Sequence, residues 1–259
     1  MDDHNVKALV TFAGALTGGF NGPQPSDSIA FQVFVNYLGP RLVPKEILDF
    51  FKYTPADFSG KLQRDFADIA ANNPQLQAHY SVFNLARSPY FDVWVRTNPY
   101  FPIINNLNIC DVDDAKCEQD KARRRANFLK LKQAHFFASP LDDVISPWQQ
   151  SHLGCYSEVA SSEDIETKFT TLKVLDMKQT REYVNDTYGL QTLDKRASLF
   201  FHTVEGVGHN CWTNDYTAVG QTTECKVARV YNDAIYPVLQ GAVFFTPAGK
   251  PTKAKSCAH

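Results

Sequence analysis

The sequence predicts an α/β protein, a mostly parallel sheet interrupted by a large helical insertion. Short apolar, aromatic-rich runs at Val6 to Phe12, Ala134 to Ala138 and Ser198 to Thr203 read as buried strands, with helical patterns between them. Residues 23–120 show no strand alternation and carry apolar and aromatic residues at helical spacing between prolines. A connection of that length, against the usual of about 2–6 residues, is a structure in its own right.

Taken in order, the first strand runs into the glycine-rich turn Gly14 to Gly22, which has neither GxGxxG spacing nor a following Lys-Ser/Thr and so does not read as a phosphate cradle. A central parallel strand needs neighbours on both sides, so a chain opening on one is expected to be N-terminally truncated. In the insertion, Phe31, Phe34 and Leu38 recur at helical spacing, as do Ile47, Phe50 and Phe51, in short segments punctuated by Pro40, Pro44, Pro55 and Pro74. A helix from Lys121, packing through Ala126, Phe128 and Leu129, leads into the second strand. Asp176 is placed to cap a helix through Met177, Arg181, Val184 and Tyr188, and Gly189 to stop it in the left-handed conformation. After the third strand, a last helix from about Thr223 to Leu239 presents Val227, Tyr231, Ile235 and Val238 on one face. The predicted organisation is 1–22 central strand and turn, 23–120 helical insertion, 121–248 sheet core, and 249–259 a disordered tail.

With 44% hydrophobic and 21% charged residues over 259 positions, the composition is that of a globular protein with a substantial core. A formal charge of −2, and no long basic run beyond Lys121 to Arg125, argue against nucleic acid as the main partner. No stretch approaches the roughly 18 consecutive apolar residues of a membrane span, and the acidic start lacks the pattern of an export signal. Two locally spaced cysteine pairs, Cys110 with Cys117 and Cys211 with Cys225, and the glycosylation sequon Asn185-Asp186-Thr187 point towards an oxidising compartment.

The chemistry-bearing residues lie just after the second and third strands. Asp142 and Asp143 follow Ala134 to Ala138, and His209 follows Ser198 to Thr203, where open parallel sheets place their ligand and catalytic groups. An acid after one strand and a histidine after the next form the Asp…His half of an α/β-hydrolase triad, in which the acid fixes the imidazole tautomer. Asp142 is the candidate acid, and Asp143 competes with it or caps the turn. No G-x-S-x-G nucleophile elbow occurs in the chain, and no cysteine stands between glycines after a strand to replace it. His135 and His202 fall inside strand patterns, and His4, His79, His152 and His259 lack acid or cysteine partners at metal spacing; no zinc motif is present.

Several of these segments together resemble one family. Met1-Asp2-Asp3-His4-Asn5-Val6, Asp142-Asp143-Val144-Ile145-Ser146-Pro147-Trp148-Gln149, Tyr188-Gly189-Leu190-Gln191-Thr192-Leu193 and Gly208-His209 with Trp212 are similar to the palmitoyl-protein thioesterases, nearest to their second, lysosomal branch. Asn98-Pro99-Tyr100-Phe101-Pro102 with Ile104-Asn105-Asn106 adds a further match, and the insertion stands where the family has its lipid-binding insertion. Gly206-Val207-Gly208 and Cys155 depart from the family pattern without removing a catalytic group.

The resemblance implies an α/β-hydrolase fold with catalytic Asp142 and His209. It implies a lysosomal or secreted thioesterase that removes long-chain acyl groups from S-acylated proteins, peptides or acyl-CoA and uses no metal or organic cofactor. Its serine falls on nothing here, so the chain is expected to begin downstream of the elbow and to be inactive alone. A lipase or esterase on the same scaffold, and a non-catalytic lipid-binding protein, are the rival readings. Two geometric expectations follow. Asp142, and not Asp143, should hold the His209 ring, and the insertion should form a helical cap whose Phe and Tyr side chains make an apolar groove leading towards His209.

Overall fold

The protein is described by a computed structural model over residues 4–243. Its strands are β1 (Ala8–Phe12), β2 (Gln133–Ala138), β3 (Cys155–Tyr156), β4 (Val174–Leu175) and β5 (Leu199–Thr203). β1, β2 and β5 form a parallel sheet in that order, with Ala8 opposite Gln133 and Ala134 opposite Leu199 at the start of the two registers. β3 and β4 make a separate two-stranded antiparallel pair.

β2 is buried at every residue, which explains why its sequence is apolar rather than alternating: it is central and covered on both faces. On one face Phe137 packs with Ala13, Trp212, Val230 and Ile235. On the other, Ala134 and Phe136 pack with Leu131, Leu153, Met177, Leu190 and Leu193. His135 and His202, neighbours on adjacent strands, pair ring to ring at 3.1 Å; burial pushes His135 down to about 4 and keeps it neutral.

The insertion is largely helical, its longest helix spanning Lys61–Asn72, and it has its own core around Phe31, Val35, Phe50, Leu62 and Phe83. The pattern at Ile47, Phe50 and Phe51 does not make a helix. Pro44 starts a single turn, Phe50–Lys52 adds a short 3-10 turn, and Phe51 is exposed. The helix expected from Lys121 spans Ala115–Phe128, its first turn capped by the Asp114 side chain, so the division drawn at 120/121 falls within one helix.

Two helices widen into π turns, Phe34–Leu38 and Tyr231–Ile235, each ending two residues before a proline, Pro40 and Pro237. Proline has no N–H for the helical ladder and its ring crowds the carbonyl four residues back; a widened turn accommodates both. The last helical stretch begins at Val227 rather than Thr223, because Cys225 is held extended by a two-bond antiparallel bridge to Tyr216. It continues through Tyr236–Val243, and the tail expected at 249–259 lies outside the described residues.

Asp176 caps a turn as expected, but the turn is the 3-10 segment Met177–Gln179, followed by the short helix Arg181–Val184. Gly189 has φ +99° and so is left-handed as expected; it also opens a further helix, Leu190–Lys195, that the pattern does not reveal.

Within the glycine-rich turn, Gly18 permits a close approach. Gly18, at φ +99°, would with a Cβ stand 2.7 Å from the Arg87 side chain. Arg87 in turn ties the insertion to the rest: its guanidinium bonds Glu182 at 2.5 Å, both side chains buried. Tyr156 on β3 donates to the buried Asp27 of the insertion, whose carboxyl burial pushes up to about 6. No described helix is long and apolar enough to cross a membrane.

Candidate active site

Parallel pairing of β2 with β5 brings the two loops after their C-terminal ends together. The ladder continues past the strands through Val204 N–H to the Ala138 carbonyl at 2.9 Å. Ser139 then joins the loops, its Oγ accepting the N–H of Leu141 at 3.1 Å and of Val207 at 3.3 Å. Ser139 has no sequence signal, because a serine before a proline makes no motif.

Asp142 is buried, and both of its carboxylate oxygens lie 3.1 Å from Nδ1 of the His209 ring. Its Oδ1 also accepts the N–H of Val144 at 3.0 Å and of Ile145 at 2.8 Å, which locks the carboxylate in place. The His209 side chain is 30% exposed, enough to meet a substrate while Asp142 stays out of water. Burial works against the imidazolium, but the hydrogen bond from the ring to Asp142, with the charges of Asp142 and Asp143, outweighs it and raises the pKa of His209 above its ordinary value.

Asp143 does not hold the ring, nor does it point away from the loop. It accepts the backbone N–H of His209 at 3.0 Å, the Tyr216 hydroxyl at 2.7 Å and the Val219 N–H at 3.0 Å. Tyr216 has no sequence signal and is brought here by its bridge to Cys225.

Both expected disulfides are present, Cys110–Cys117 and Cys211–Cys225, with Cα separations of 5.7 and 6.1 Å. The second closes the loop that begins at His209, while Trp212 in the same turn stacks on Phe12 and packs edge-on against Phe137. Replacing Cys211 and Cys225 together by serine is expected to lower stability by about 3 kcal/mol, the chain-entropy value for a loop of this size, read from the midpoint of a urea titration. An unchanged midpoint would show that packing and Asp143 alone hold the loop.

Beside the acid loop lies a cavity of about 450 Å³. Val144, Ile145 and Ser146 form one wall, Gly19 and Phe20 another, and the insertion supplies Phe31, Phe34, Leu38, Leu62 and Phe66. The two amides that lock Asp142 therefore belong to residues that line an apolar cavity.

The model of one family, described as palmitoyl protein thioesterase, matches residues 1–209, a span that ends on His209. Lysosomal thioesterase PPT2-B of Xenopus laevis is 30% identical over 138 residues, covering 53% of this chain and 41% of that protein. Lysosomal thioesterase PPT2 of Homo sapiens is 27% identical over 142 residues, covering 53% of the chain and 39% of that protein. The lysosomal thioesterase PPT2 homolog of Drosophila melanogaster is 21% identical over 212 residues, covering 82% and 56%. The matches thus span less than two thirds of these relatives. With an α/β fold built on a parallel sheet and a family match over most of its length, the chain belongs to the palmitoyl protein thioesterase family.

Proposed function

We propose that the whole protein hydrolyses long-chain S-acyl thioesters, with Asp142 and His209 as the acid and base of a Ser-Asp-His triad. The observation that carries this reading is the Asp142 carboxylate on Nδ1 of His209, in a loop that also walls an apolar cavity. Held through Nδ1, the ring offers Nε2 to a serine hydroxyl, takes its proton as the serine attacks the thioester carbonyl, and returns it to the departing thiolate. Water then cleaves the acyl-enzyme by the same route. The serine, and the backbone donors that stabilise the oxyanion, are assigned to an elbow outside these 259 residues, which contain no G-x-S-x-G.

The cavity is the proposed acyl site, and acylated peptides and acyl-CoA are the proposed substrates. The relatives' names and the two disulfides support a lysosomal or secreted protein, in which the exposed Asn185 would carry glycan.

Each methylene buried contributes about 0.8 kcal/mol, so affinity should rise roughly tenfold for every two carbons added until the cavity is full. Displacement of a fluorescent fatty acid from residues 1–259 by a series of acids measures this; equal affinity for short and long chains would remove the long-chain assignment. Turnover is tested by comparing acyl-CoA, acyl-cysteine peptide and triglyceride with a chain extended upstream through the elbow, where His209→Ala should abolish activity. Residues 1–259 alone should give none. His209-dependent turnover by them would place the nucleophile within this chain.

A further inference from the structure

Resting on the acid–histidine reading above, we propose that Asp143 is a positioning residue: its carboxylate fixes the backbone from which His209 projects, and so sets where the ring meets Asp142 and the substrate. The two adjacent aspartates divide the work. Asp142 grips the ring through Nδ1, and Asp143 grips the main chain of the same histidine through its N–H at 3.0 Å.

The Asp143 side chain is almost fully buried, at 1% exposure. A carboxylate taken out of water is costly unless donors surround it. Here the donors are the His209 N–H, the Tyr216 hydroxyl and the Val219 N–H, all from the loop after β5 and all uncharged. Hydrogen bonds to an ionised acceptor are about twice as strong as neutral ones, so one side chain of the loop after β2 gathers the whole His209 loop. The loop closes flush behind this contact. A Cβ on Gly208 would stand 2.6 Å from Ala218 and 3.0 Å from the Tyr216 ring.

Fixing the backbone matters because catalytic groups need placing to about 0.5 Å. A ring hydrogen bond alone leaves the main chain free to move with the ring. With both ends tied to consecutive residues of one loop, a shift of His209 away from Asp142 must also break the Asp143 contact. The charge of Asp143 adds to that of Asp142 in favouring the imidazolium that forms during turnover.

The test uses ¹⁵N-labelled residues 1–259 and needs no turnover. The His209 ring resonances, assigned by their loss in His209→Gln, are followed with pH, and exchange of the His209 amide proton is measured in D2O. Asp143→Asn is expected to lower the pKa of His209, abolish or broaden its low-field Nδ1 proton, and speed amide exchange at least tenfold. A fall in melting temperature with all three ring and amide readouts unchanged would overturn the proposal and leave Asp143 a merely structural group.

Tyr216→Phe serves if Asp143→Asn does not fold. It removes one donor but keeps the charge, and is expected to speed His209 amide exchange several-fold while leaving its pKa near that of the parent; unchanged exchange would count against the proposal. If the extended chain proves to have no thioesterase activity, the functional reading fails while these readouts still decide the role of Asp143.

Discussion

Asp142→Asn in the whole protein is expected to lower kcat by about 10³–10⁴-fold with little change in KM, comparable to the loss when the equivalent acid of a serine protease triad is made an amide. The geometry gives the reason. Oδ1 of Asp142 already accepts two backbone N–H groups, from Val144 and Ile145, so an asparagine would keep its oxygen there and turn its NH2 towards His209. An NH2 donating to Nδ1 selects the tautomer with the proton on Nε2. That nitrogen could then no longer take a proton from the serine. Because the fold around the amide would be unchanged, thermal stability should fall far less than activity.

The pH profile carries the second half of this test. The ring acts as a base only when neutral, so the rate should rise as pH passes upward through the raised pKa of His209. Without the Asp142 charge the ring is harder to protonate, and whatever activity remains should have its acid limb moved to lower pH. Retention of kcat to within tenfold in Asp142→Asn, measured on a long-chain acyl thioester, would remove the triad assignment.

Breaking the Arg87–Glu182 pair is expected to cost about 3–5 kcal/mol of stability, because removal of either partner leaves a buried charge uncompensated. Arg87 is 6% exposed and Glu182 1% exposed. The guanidinium also meets the Thr17 carbonyl at 3.3 Å and lies over the Trp94 ring at 4.8 Å. It thus joins the first turn, the insertion and the segment before β5. Arg87→Met or Glu182→Leu alone should lower Tm by roughly 6–20 °C.

The double variant Arg87→Met with Glu182→Leu removes both charges together and should recover most of the loss, since apolar side chains of similar volume are often as stable as the pair they replace. Scanning calorimetry of the four proteins gives the coupling directly. Additive losses in the double variant would show that the two side chains contribute independently.

What was legible in the sequence depended on how local its cause is. The three sheet strands were readable because β2 and its neighbours are short apolar runs bounded by loops, and the observed starts differ from the expected ones by at most two residues. The helices fared less well. The pattern over Met177 to Tyr188 is two short pieces, and Leu190–Lys195 has no clear pattern, because packing against Leu131, Ala134 and Phe136 outweighs the weak helical preference of such short segments.

The residues of the site divide in the same way. By itself the sequence determined the fold class, the helical character of the insertion, both local disulfides and the two loops that carry Asp142 and His209, since each leaves a signal within a few residues: an apolar run, a spacing, an acid or histidine after a strand. The tertiary structure decided that Asp143 takes the His209 backbone, that Ser139 and Tyr216 support the pair, and that Val144 and Ile145, which hold Asp142, also wall the cavity. The contacts of Asp143 with His209 and Tyr216, and of Ser139 with Val207, link residues more than sixty positions apart, and which oxygen meets which donor is set by the register of β2 on β5 and the closing of the Cys211–Cys225 loop.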